Sequence, residues 1–229
     1  MGAARGGLRR IAAAEDVAAL NQPIHGLYII IDPDACGGRD AVDVARLALE
    51  GGASVLQWRD KQREKGDQLA QARAIRELCS EHNATLIVND HVDLALVAGA
   101  DGVHVGPHDL PVEAVRRLVP ADFVVGVSTN TAEEARRAEA GGASYVAIGA
   151  VFPTASKAPE RTRPASVERV RDVKAAVGVP VVAIGGINAS NAAEVIEAGA
   201  DAIAVISAVC GAADVRAAAK ALAGRFEGN

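Results

Sequence analysis

At 229 residues and 50% hydrophobic, the chain is long enough for one domain with a full core, and α/β barrels often reach this size as a single unit. A net charge of −5, a pI near 5.6 and an aromatic content of 3% exclude a general nucleic-acid binder, which would carry a basic stripe. Charged residues at 23% and a mean hydropathy of +0.15 suit an ordinary folded protein rather than a disordered one.

No stretch reaches the roughly 18 apolar residues of a membrane helix, so no membrane partner is expected. Basic residues in Met1–Arg10 are not followed by a long apolar region, so no signal peptide is expected. Gly6 stands where a myristoylation pattern needs Ser or Thr. Cys36, Cys79 and Cys210 are odd in number and far apart, which suits reduced thiols in a cytoplasm.

Residues 1–22 are expected to form an extension, disordered at its start. Within it Leu8, Ile11, Val17 and Leu20 are spaced for an amphipathic helix under a barrel floor. Residues 23–229 then alternate strand-like and helix-like segments. Leu27–Ile31 predicts a first strand, Ala41–Leu49 a helix, and Ala53–Gln57 a second strand. Leu69–Cys79 is helical, with Leu69, Ala72, Ile75 and Leu78 on one face. Thr85–Val88, Gly102–Val105 and Phe123–Val127 are the next strands, separated by helices over Val92–Val97 and Val112–Leu118. Thr131 reads as an N-cap bonding the N–H of Glu134, opening a helix over Ala132–Ala140. Tyr145–Ile148, Val181–Ile184 and Ala202–Ile206 complete the strands, with helices over Val167–Val177, Ala192–Glu197 and Ala212–Leu222. Eight strand-helix units are the count of a single (β/α)8 TIM barrel. An open doubly wound sheet would put a glycine-rich fingerprint in the first turn, which here is Asp32-Pro33-Asp34. One turn recurs between helix and strand, as Gly51–Ser54, Gly99–Gly102, Gly141–Ser144 and Gly199–Ala202, where a glycine C-cap is needed. Phe152–Ser166 is the longest irregular stretch and reads as a mobile lid.

Polar residues gather after the apolar runs, and strand ends converge on one mouth in a closed parallel barrel. Gln57, Arg59 and Lys61 alternate, so an extended chain puts them on one side. Arg offers a planar fork for phosphate and Lys a point charge. A solvated loop explains the charges alone but not the amide of Gln57 at the end of a buried run. Asn89-Asp90 and Asp109 follow neighbouring strands. Either Asp alone is better read as a helix cap. Together, with cations nearby, they suggest Mg²⁺ held by carboxylates and substrate phosphate. Thr154, Ser156 and Lys157 suit an anion, although any surface loop could have this composition. Gly185-Gly186 and Ser207 fall after strands seven and eight, where such barrels bind phosphate through backbone N–H groups. His104 is at least as well explained by barrel packing as by catalysis. Trp58 reads as packing and His108 as a loop residue. No Ser-His or Cys-His pair is evident in the sequence.

In these residues the chain resembles the thiamine-phosphate synthase family beyond residue 25. The matching stretches are Leu27–Asp32, Gln57–Lys61, Val88–Asp90, Val103–Gly106 with Asp109, and Gly126–Ser128. Thr154–Lys157, Ile184–Ile187 and Val205–Ser207 complete them. The resemblance implies an Mg²⁺-dependent transferase joining 4-amino-2-methyl-5-(hydroxymethyl)pyrimidine diphosphate to hydroxyethylthiazole phosphate, with release of pyrophosphate. It assigns Gln57 to the aminopyrimidine and Arg59, Lys61, Asn89 and Lys157 to the diphosphate. Asp90 and Asp109 go to Mg²⁺. Ser128, Thr154 and Ser156 line the diphosphate and thiazole region, and Gly186, Ile206 and Ser207 the thiazole phosphate. Arg59, Lys61, Lys157 and Ser128 would act in catalysis. The partners implied are these small molecules, and a homo-oligomer stays compatible with the sequence. Pro107, Asn130 and Ala150 depart from the residues common in the family, which are Gln, His and Pro. A thiazole tautomerase would look for a histidine near Asn130, and a non-catalytic regulator would not need the diphosphate set.

Overall fold

The computed structural model describes residues 24–154 and 166–226. Eight parallel strands close into a barrel in sequence order. They are β1 (Gly26–Ile31), β2 (Val55–Trp58), β3 (Thr85–Asn89), β4 (Gly102–Val105), β5 (Val124–Thr129), β6 (Tyr145–Gly149), β7 (Val181–Ile184) and β8 (Ala202–Val205). The connections carry α1 (Ala41–Glu50), α2 (Lys65–Glu81), α3 (Val92–Ala98), α4 (Val112–Arg116), α5 (Ala132–Ala140), α6 (Val167–Lys174) and α7 (Ala192–Glu197). A short α8 (Ser207–Cys210) and then α9 (Val215–Ala223) follow β8. The single (β/α)8 barrel expected from the sequence is the fold.

Alternation along each strand divides the core into two layers. Leu27, Ile29 and Ile31 of β1, with Leu56 and Trp58 of β2, face the helices. Tyr28 and Ile30 of β1, Val55 of β2, Ile87 of β3 and Tyr145 of β6 fill the barrel itself. Both faces of these strands are covered, which is why they read as unbroken apolar runs. Trp58 is buried, and its Nε1 donates to Gln68 Oε1 at 3.1 Å, as a packing residue.

The recurring turn has a shared task. Each copy places a polar side chain just before β2, β4, β6 or β8 and ties it to the start of the preceding strand. Asp101 Oδ2 accepts from Leu86 N at 2.8 Å, Ser144 Oγ from Val125 N at 3.0 Å and Asp201 Oδ2 from Val181 N at 2.7 Å. Ser54 Oγ donates instead to the Leu27 carbonyl at 3.2 Å. The barrel floor is thus stitched in four pairs of strands.

Element ends differ from expectation where a local side-chain bond or strand pairing decides them. α2 begins at Lys65, because the Gln68 amide donates to Arg63 O at 2.7 Å and anchors a polar first turn. β5 runs on through Ser128 and Thr129, which pair with Ala147 and Ile148. The expected helix over Ala212–Leu222 starts at Val215, where Asp214 accepts from Ala217 N at 2.9 Å. The Thr131 cap forms, with Glu134 N donating to its hydroxyl at 3.1 Å. The expected N-terminal helix over 1–22 lies outside the described residues, as do residues 155–165 of the expected lid.

Candidate active site

The carboxyl ends of the strands surround one cavity. Gln57, Arg59, Asn89, Ser128, Thr154, Gly186, Ile206 and Ser207, all singled out from sequence, line it together. Lys61, Asp90 and Asp109 stand beside it, Asp90 directly after Asn89. Ser156 and Lys157 lie outside the described residues, just past Thr154.

β2 delivers Gln57, and Arg59 follows as the chain leaves the strand. The N–H of Arg59 still donates to Ile31 O at 3.0 Å, which keeps its side chain on the face of Gln57. Arg59 forms an ion pair with Asp32, which lies at the end of β1 and is buried. Asp32 also accepts from Asp34 N at 3.1 Å, so the carboxylate aiming the guanidinium is itself fixed. Sequence reasoning missed Asp32. The signal available was a carboxylate ending an apolar run one strand away from an arginine ending the next.

Lys61 Nζ stands 3.7 Å from Asp90 Oδ2. Asp90 has φ 61°, a left-handed conformation uncommon outside glycine, although Asp tolerates it better than most residues. Its N–H donates to His104 O at 2.8 Å, which holds the turn. Burial raises the Asp90 carboxyl above its ordinary range, and the charge of Asp109 raises it further. Asp109 Oδ2 accepts from Gly106 N at 2.8 Å, which ties it back to the turn after β4, and neither Asp caps the helix that follows it. Two carboxylates meet here, and their repulsion is what a divalent cation would relieve. Among the described residues no cluster of three or more His, Cys, Asp or Glu side chains could hold a metal. A two-carboxylate set completed by substrate oxygens is the pattern that Mg²⁺ accepts.

On the opposite side of the mouth, Gly185 and Gly186 follow β7 with φ 102° and 68°. A Cβ on Gly186 would stand 2.7 Å from Phe152 Cβ and from Pro153 O. Only glycine fits this backbone at this approach. Ser207 opens α8 after β8, and Ile206 and Ala208 join it in the cavity wall.

The cavity also takes in Tyr28, His104 and Tyr145. His104 Nε2 lies 2.8 Å from Ser128 Oγ. A Ser-His pair therefore exists, contrary to the sequence reading. The partners sit on adjacent strands, 24 residues apart, where no local spacing shows them. The other ring nitrogen, Nδ1, lies 2.9 Å from the Tyr145 hydroxyl rather than against a carboxylate. This is not the carboxylate-oriented triad of an activated serine.

Of the departures, Ala150 lines the cavity. Asn130 is turned to the start of α5, donating from its backbone N to Glu134 Oε2 at 2.7 Å. Pro107 is exposed in the turn before Asp109.

A sequence model described as thiamine monophosphate synthase matches residues 27–209. The chain belongs to the thiamine monophosphate synthase family. A thiamine-phosphate synthase of Methanospirillum hungatei is 46% identical over 198 residues, covering 86% of this chain and 96% of that protein. One from Chlorobium limicola is 49% identical over 192 residues, covering 83% of this chain and 90% of that protein. The solved thiamine phosphate pyrophosphorylase of Pyrococcus furiosus superposes with a TM-score of 0.81 at 42% identity, covering 88% of this chain and 95% of that one. A 3-hexulose-6-phosphate synthase at 20% identity and a TM-score of 0.64 shares the barrel alone. Membership makes the chain a transferase that acts on small molecules. Among the described residues no helix is long and apolar enough to cross a membrane.

Proposed function

We propose that the chain condenses the hydroxymethylpyrimidine diphosphate with hydroxyethylthiazole phosphate, releasing pyrophosphate and forming thiamine phosphate. One observation carries this reading. A single cavity is lined by Arg59 and Asn89 on one side and by Gly185, Gly186 and Ser207 after β7 and β8 on the other, and the Lys61–Asp90 ion pair directly follows Asn89. That suits one ligand bearing a diphosphate and a second bearing a phosphate.

In this reading Gln57 holds the aminopyrimidine. Arg59, Lys61, Asn89 and Lys157 hold the diphosphate. Gly186, Ile206 and Ser207 hold the thiazole phosphate, while Ser128, Thr154 and Ser156 serve the diphosphate and thiazole region. Asp90 and Asp109 hold Mg²⁺, which supplies neutralising charge to the diphosphate when bound. The carbon–oxygen bond to diphosphate breaks, and the aminopyrimidine spreads the positive charge left on its methylene carbon. The thiazole nitrogen then bonds that carbon. Arg59, Lys61 and Lys157 favour the departing charge, and the two binding ends set the distance of attack. No protein nucleophile is required.

Three buried free thiols, Cys36, Cys79 and Cys210, support a cytoplasmic setting. Incubating the protein with both substrates and Mg²⁺, with and without EDTA, tests the function. Thiamine phosphate that forms only without EDTA supports both the reaction and the metal. Its absence from folded protein would overturn the proposal.

A further inference from the structure

Five side chains from five strands form one hydrogen-bonded line through the barrel. Gln57 Nε2 donates to the Tyr28 hydroxyl at 2.7 Å, and the Tyr28 and Tyr145 hydroxyls lie 3.0 Å apart. The line continues from Tyr145 to His104 Nδ1 at 2.9 Å and from His104 Nε2 to Ser128 Oγ at 2.8 Å. Its two ends, Gln57 and Ser128, both face the cavity.

We propose that Tyr28, Tyr145 and His104 are positioning residues: they transmit the orientation of the Gln57 amide to Ser128 and hold its hydroxyl as a donor into the cavity. The inference rests on the reading of Gln57 and Ser128 as substrate contacts. Its logic is a count of hydrogens. A hydroxyl has one hydrogen, and a neutral imidazole has one N–H. Gln57 donates to Tyr28, so the Tyr28 hydrogen goes to Tyr145. The Tyr145 hydrogen then goes to His104 Nδ1. That leaves the His104 hydrogen on Nε2, donated to Ser128 Oγ, and frees the Ser128 hydrogen for an anionic ligand. At the other end the Gln57 carbonyl is left to accept from an amino group. Turning the amide over reverses every member. Tyr28 would then donate to Gln57, His104 would carry its hydrogen on Nδ1, and Ser128 would donate to His104 instead of to the ligand. Burial raises both phenols above their ordinary range, so both keep the hydrogens that the count requires.

The test uses nitrogen-15 NMR of histidine-labelled protein together with steady-state kinetics. The resting enzyme is expected to show His104 protonated on Nε2 alone. Protonation on Nδ1, or on both nitrogens, would overturn the proposal without any assay. Tyr145→Phe keeps the ring and removes the link. Breaking both hydrogen bonds of that hydroxyl leaves the Ser128 donor undirected, which is expected to lower kcat about tenfold, with KM for thiazole phosphate within about twofold. In a Ser128→Ala background the same change is expected to cost less than about twofold, because the line no longer has an end to direct. An equal loss in both backgrounds would mark Tyr145 as merely structural and overturn the proposal. Folded wild-type protein that makes no thiamine phosphate would defeat the function instead, while the NMR result would still decide the direction of the line.

Discussion

The ring of Tyr145 occupies the place where a side chain at Gly126 would project. A Cβ built on Gly126 would overlap the ring and the hydroxyl of Tyr145. The glycine of β5 thus makes room for a tyrosine of β6 on the barrel axis, where that hydroxyl meets Tyr28 and His104. Both tyrosines are buried in the inner layer, so moving either ring disturbs its packed neighbours.

Gly126→Ala should therefore cost both stability and activity. Overpacking a filled core costs about 1–3 kcal/mol, and here the residue displaced also carries the hydrogen-bonded line. Urea denaturation and turnover measured on the same sample check this. A variant with wild-type midpoint and turnover would mean that Tyr145 has room to move.

Asp32→Asn keeps the size of the side chain but removes the charge that aims Arg59. KM for the pyrimidine diphosphate should rise about tenfold, the scale of one charge-assisted hydrogen bond, while KM for thiazole phosphate stays near wild type. Equal changes in both constants would show that Asp32 acts on the whole mouth rather than through Arg59.

Asp90→Asn should separate the metal from the fold. Burial and the neighbouring Asp109 raise the Asp90 carboxyl, so ionising it costs stability in the metal-free protein. The amide keeps the left-handed turn, which Asn also tolerates. The variant should unfold at a higher temperature than wild type without Mg²⁺ and make little product. Wild type at ten times its metal Kd should gain about 1.4 kcal/mol, and the variant nothing. Thermal scans over a range of Mg²⁺ concentrations check both halves.

Stability should fall on the alkaline side. Burial pushes the Cys79 thiol from 9.0 up to about 12 and raises Tyr28 and Tyr145 above 10.0. A group whose folded pKa is raised holds its proton longer in the native state than in the unfolded one. Its contribution is complete below the unfolded pKa and is lost as pH rises toward the folded value. Denaturation midpoints should thus decline from about pH 9 upward. Cys79→Ala and Tyr28→Phe should each flatten that slope.

Much of the fold is legible in the chain because the parallel strands are covered on both faces. Runs such as Leu27–Ile31 and Val181–Ile184 therefore stand out against glycine-marked turns. The boundaries that shifted are set by a local side-chain bond or by pairing to a neighbouring strand, as with Gln68 at the start of α2 and Ser128 paired with Ala147 of β6. The mouth is legible for the same reason as the strands: a polar residue ending an apolar run needs an explanation. Gln57, Asn89 and Ser207 show this, and all reach the cavity. Tyr28 and Tyr145 are not singled out, and His104 reads at least as well as packing, because inside an apolar run each reads that way. Their function-bearing feature is the partner on another strand, 117 residues away for Tyr28 and Tyr145, which no local pattern records.

The most direct measurement follows thiamine phosphate and pyrophosphate together in one reaction with Mg²⁺ and both substrates. The expected result is equal amounts of the two products, neither appearing when thiazole phosphate is left out. Pyrophosphate released without thiazole phosphate, or no thiamine phosphate from folded protein, would contradict a cavity built to join the two.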